Sequence, residues 1–125
     1  MHYSVTSQGP LLEVRVDDGL TKPEILELWD VIERHPRYHE VTAGLVLCGH
    51  AIQWNLRTED IRHLAKEVQR LRALPWAIVA DDPLSFGMAR MFALQTDDER
   101  RYRVFENESD ARTWLKHFLP SENTG

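Results

Sequence analysis

Four groups of residues have types and spacings that could do chemistry. Cys48 and His50 lie two apart, and on an extended chain that spacing puts both side chains on one face. A thiol beside an imidazole is the start of a nucleophilic couple, or, with His63 nearby in space, of a soft metal site. The plainer alternative is a buried thiol and a surface histidine, and no third orienting group can be named. Asp81 and Asp82 are adjacent carboxylates that could hold Mg²⁺, or could serve a turn and a helix cap. Thr58 stands where a helix begins. It is either a cap or a phosphosite, since a phosphate there would meet free helix amides and the flanking Arg57 and Arg62. His35 and His39 have i, i+4 spacing, but Pro36 between them breaks the shared helical face that chelation needs. None of these spacings is a zinc signature, and the single cysteine rules out an intramolecular disulfide. The reading therefore assigns no catalytic residue, no metal and no cofactor.

Apolar residues offer a different kind of site. Ile52, Trp54 and Leu56 alternate in a segment, 49–57, that belongs to no regular element. Leu84 and Phe86 open a helix at the same expected edge of the sheet. Together they suggest an apolar rim anchored by Trp54, which would mark a binding or oligomer contact. The alternative is that Trp54 folds over the core as a lid.

The elements that must position these residues follow from periodicity. Residues 3–7 and 11–16 read as two strands of a hairpin, the second with Leu12, Val14 and Val16 on one side and Glu13 and Arg15 on the other. Thr21 and Glu24 have the spacing of a capping box. Ile25, Leu28, Trp29 and Ile32 then mark one face of a helix that ends before Pro36. Residues 43–48 are a short apolar run of the kind buried on both faces in a parallel sheet. A second helix from Thr58 carries Ile61, Leu64, Ala65, Val68 and Leu71 inward. Residues 76–80 form another buried strand. Asp82 and Pro83 start a third helix, with Leu84, Met88, Met91 and Phe92 as its expected inner face. A charged connection over 95–100 leads to a brief strand at 103–105. Asn107 caps a last helix with Ala111, Trp114, Leu115 and Phe118 inward. The order β-β-α-β-α-β-α-β-α predicts an α/β fold: a small, mostly parallel sheet with an opening hairpin. One domain over 1–119 and a frayed tail over 120–125 are expected.

Charge separates by helix. Arg62, Lys66, Arg70 and Arg72 give the second helix a basic edge, while Glu24, Glu27, Asp30 and Glu33 make the first acidic. These are either solvated faces or a bipolar surface for an acidic partner or a second copy. Over 125 residues the hydrophobic share is 42% and the net charge −5, an ordinary globular balance that argues against nucleic acid as partner. No basic-then-apolar leader and no membrane-length apolar run is present, so a cytoplasmic protein with no integral membrane segment is expected.

The second half carries a family pattern. Ala77-Ile78-Val79-Ala80-Asp81-Asp82-Pro83 is followed by Phe86-Gly87-Met88-Ala89-Arg90-Met91, then Arg103-Val104-Phe105, then Asp110-Ala111-Arg112-Thr113-Trp114-Leu115. A strand, a Gly-x-x-Arg helix, a Val-Phe strand and an Ala-x-x-Trp-Leu helix in that order resembles the SpoIIAA-like (STAS) domains. It is similar above all to the small stand-alone bacterial STAS/SEC14-domain proteins. The resemblance implies a STAS-like fold and a non-enzymatic domain acting as a protein-interaction or regulatory module, as a homodimer or with another protein. Its alternative is a domain binding a small apolar ligand or lipid. Candidate contacts are then Trp54, Leu56, Thr58, Leu84, Phe86 and Arg90, with Thr58 as the candidate phosphosite. The signalling members carry an Asp-Ser or Ser-Ser pair where this chain offers only Thr58.

Overall fold

The computed structural model describes residues 2–50, 52–96 and 101–120. Two strands, β1 (Tyr3–Gln8) and β2 (Leu11–Val16), form an antiparallel hairpin. Then follow α1 (Lys22–Glu33), β3 (Ala43–Cys48), α2 (Thr58–Glu67) with a 3-10 turn at Val68–Arg70, β4 (Trp76–Val79), α3 (Pro83–Gln95), β5 (Tyr102–Phe105) and α4 (Glu108–Leu115). The expected order of elements is borne out. The sheet runs β1-β2-β3-β4-β5, parallel from β2 onward. Within the expected charged connection only 95 and 96 are described, 97–100 lying outside the described residues, as do residues 121–125 of the expected tail.

Strand order equal to chain order has a consequence. Parallel crossovers are right-handed, so a sheet wound always in one direction puts every crossover helix on the same face. That face holds Leu12, Val14, Val16, Trp76 and Tyr102 from the strands. They pack in one cluster with Leu28, Trp29 and Ile32 of α1, Leu64 of α2 and Ala93 of α3. The opposite face is left to α4. There Leu11, Ala43, Leu45, Leu47, Ala77 and Val79 meet Ala111 and Leu115. Alanines at 43, 77 and 111 let the helix lie close to the strands, and Trp114 bridges Phe105 and Phe118 with ring centroids 5.8 and 4.9 Å away.

Helix starts follow local chemistry. Thr21 and Glu24 form the reciprocal capping box. Asp82 caps α3, its Oδ1 accepting from the Ser85 amide at 2.9 Å, and Asn107 caps α4 in the same way at 2.8 Å. Thr58 is a correction. It is the first residue of α2, exposed, and the capping position falls on Arg57, whose amide donates to Asp60 at 2.9 Å. Glu13 lies, as alternation implies, on the side of β2 opposite Leu12, Val14 and Val16, yet it is 3% exposed, with Arg15 at 3.1 Å and Arg112 of α4 at 3.7 Å. Lying on the face that α4 covers, it is buried between the strand and the helix.

Candidate functional site

Between the sheet and its three crossover helices lies a cavity of about 160 Å³. Its floor is Val14, Val16, Val46, Cys48, Trp76, Ile78 and Tyr102, the residues that strand alternation sends to this face. Each helix contributes the inner stripe that its periodicity implied: Ile25 and Trp29 from α1, Ile61 and Leu64 from α2, Met88 and Phe92 from α3. Trp29 and Phe92 meet across the roof at 6.2 Å, and Phe92 stands edge-on to Tyr102 at 5.6 Å. Gly44 matters at one end: a methyl group there would run into the indole of Trp76, so only glycine lets that ring lie against β3.

Residues 49, 50 and 52–57 lie as a strap across the carboxyl edge of the sheet. Ile52 is buried beneath it, and Trp54 and Leu56 pack on the core and line the cavity. Several contacts fix it. The Gly49 amide donates to the Val16 carbonyl at 2.8 Å, and Asn55 forms a bridge with Thr21. Trp54 Nε1 donates to Ser85 Oγ at 2.8 Å, and His50 Nδ1 lies 3.0 Å from Asp81 Oδ1. Gly19 passes so close that a side chain there would strike the Gln53 carbonyl. Of the two readings of Trp54, the structure therefore gives the lid.

Leu84 and Phe86 do not join it. Leu84 is 57% exposed, and neither lines the cavity. Met91, expected inward, is 37% exposed. Arg90 is exposed on α3, outside the cavity but beside a shallow groove that Leu94, Tyr102 and Val104 also line. Sequence reasoning missed Ser85, the partner that anchors Trp54. The one available signal was the Asp82 cap, which fixes where Ser85 falls in the first turn of α3.

The surroundings of the thiol favour its protonated form. Burial, and then the charges of Asp82 and Asp81, push the Cys48 thiol up to about 12. His50 is fully exposed and raised above the ordinary 6.5, first by its hydrogen bond to Asp81 and then by that carboxylate's charge. It turns to solvent with Asp81 while Cys48 faces the cavity, so the two do not form a couple. Asp82 is committed to its cap. Among the described residues no group of three or more His, Cys, Asp or Glu could hold a metal ion.

The helix charges are partly self-satisfied. Arg70 donates to Asp30 at 2.9 Å and Glu33 at 2.8 Å, tying the 3-10 turn after α2 to α1. Among the described residues no helix is long and apolar enough to cross a membrane. Compared with protein-family models, curated proteins and solved structures, the chain matches none.

Proposed function

We propose that this chain is a non-enzymatic binding domain that takes a small, neutral, mainly apolar ligand in the cavity beneath the strap. The carrying observation is the lining itself: about 160 Å³ walled by aliphatic and aromatic side chains from the sheet and all three crossover helices. An apolar space of that size suits a ligand like benzene, and filling it with solid core instead would be worth about 4 kcal/mol. Among the described residues no Lys, Arg, Asp or Glu lines it, which disfavours a charged ligand. The polar groups gather at the strap end, where Ser85 Oγ accepts the Trp54 N–H and still has a proton to donate. A ligand with an apolar body and one neutral acceptor fits this arrangement. Trp54 and Leu56 are its proposed contacts. The strand and helix order agrees with a SpoIIAA-like (STAS-like) fold, and the cavity favours the apolar-ligand branch of that resemblance over a phosphoswitch at Thr58.

The test pairs three probes with one filled variant. Toluene and acetophenone should bind with Kd of about 0.1–1 mM, as fits ligands of under ten heavy atoms, and benzoate should not. At ten times Kd the gain is about 1.4 kcal/mol, or roughly 5 °C in Tm. Ala89 lines the cavity from α3. Ala89→Leu should raise Tm and abolish the shift with both neutral probes. A fall in Tm of the size that overpacking gives, with probe binding unchanged, would refute the proposal.

A further inference from the structure

The solvent faces of the helices differ in kind. On α1 the exposed positions include Glu27, Asp30 and Glu33, and on α2 they include Glu59, Arg62, His63 and Lys66. The exposed positions of α3 are Pro83, Leu84, Gly87, Arg90, Met91, Leu94 and Gln95, with a single charge among them. Three of the four large hydrophobics that stand exposed among the described residues belong to this one helix: Leu84 at 57%, Met91 at 37% and Leu94 at 56%. At 100° per residue, Leu84, Gly87, Met91 and Leu94 fall within an arc of about 80°. They form a continuous apolar row on the side away from the cavity.

The spacing of that row identifies its occupant. Its steps are three, four and three residues, so the row reads the same in both directions. A twofold axis across its midpoint brings Leu84 opposite Leu94 and Met91 opposite Gly87. At Gly87 nothing lies within 4 Å of the place a side chain would take, so the helix has a notch where the row needs to accept a methionine. A row that is palindromic, with a knob at one position and a notch at its twofold mate, is complementary to itself. That is the condition an isologous interface must meet.

We infer that the outer face of α3 is a dimer contact between two copies of this chain, the two α3 helices packing antiparallel with each Met91 seated over the partner's Gly87. The helix is about 20 Å long, so a helix pair alone supplies only part of the roughly 800 Å² per partner of a standard interface. The groove beside Leu94, lined by Ala93, Tyr102 and Val104 and flanked by the Arg90 and Arg103 side chains, continues the surface, its apolar side receiving the partner's Leu84 and its two arginines forming a polar rim. Tyr102 borders both this contact and the cavity, whereas Ser85, Met88 and Phe92 face the cavity from the other side of the same helix.

Sedimentation equilibrium over a range of concentrations tests it, with Met91→Glu, Gly87→Gln and Arg62→Glu beside the full wild-type chain. The wild type should dimerise in the micromolar range. Met91→Glu and Gly87→Gln should each weaken the dimer about tenfold or more, while Arg62→Glu on α2 leaves it unchanged. Circular dichroism and Tm of Met91→Glu should match a folded monomer, since the side chain is exposed. A wild type monomeric throughout would overturn the inference, as would a dimer indifferent to both α3 substitutions. So would a monomer that cosediments with phosphatidylcholine vesicles through Met91, which would make the row a membrane contact instead.

Discussion

Cys48 and His50 stand two residues apart at the end of β3, yet their environments pull them in opposite directions. The thiol looks into an apolar cavity and is pushed up to about 12, so at pH 7 it is held protonated. Since the thiolate is the reactive form, a thiol reagent at pH 8 should label Cys48 far more slowly in the native protein than in denaturant. Equal rates would mean that the thiol is accessible and the cavity floor misplaced. His50 behaves otherwise. Its partner Asp81 favours the charged imidazole, and a raised folded value means that the pair contributes stability below the ordinary histidine value of 6.5. That contribution disappears as pH rises through the elevated value of the folded state. A proton NMR titration should place His50 above 6.5, and in His50→Gln the fall of Tm across that interval should flatten. A midpoint at or below 6.5 would show that His50 does not hold the strap to Asp81.

At the scale of elements, α4 has the simplest task and the largest exposure to mutation. Among the described residues it is the one helix on the second face of the sheet, and Leu115, 1% exposed, sits among Leu45, Ala77 and Val79. Leu115→Ala should cost about 3 kcal/mol in a denaturant titration, and a loss below 1 would mean that the helix is not docked there. The buried strands and most of this helix were legible because each is a short apolar run or a 3.6-residue stripe; Phe118, expected inward, lies beyond the helix end at Leu115 and is exposed. By contrast, α3 is apolar on both sides, so periodicity could not separate inner from outer face, and Leu84 and Met91 were read inward. The start of α2 was misread by one residue because Thr58 is the better capping type, whereas Asp60 draws the Arg57 amide and moves the helix start. Tyr38 and Val41 were not read as core at all. They lie in an aperiodic segment, where Tyr38 is held by the Arg72 amide donating to its hydroxyl at 2.7 Å.

For the whole molecule, element order implies the architecture: strands that follow one another across the sheet place α1, α2 and α3 on one side. Which strand residues look at which layer then follows from alternation. The cavity does not follow from any of this. It depends on how far three helices stand above the floor, a matter of a few methylene groups that no pattern of apolar and polar residues records. The strap was equally hidden, because its anchors Asp81 and Ser85 are 31 residues from the groups they hold. The central claim is that a small apolar molecule enters between the sheet and those three helices, and the two faces provide an internal control. Methyl-resolved NMR during a toluene titration should shift Val14, Val46, Ile78 and Leu64 together, with saturation, while Leu45, Val79 and Leu115 on the opposite face stay in place. Unmoved methyls on the cavity side, or shifts spread equally over both faces, would contradict it.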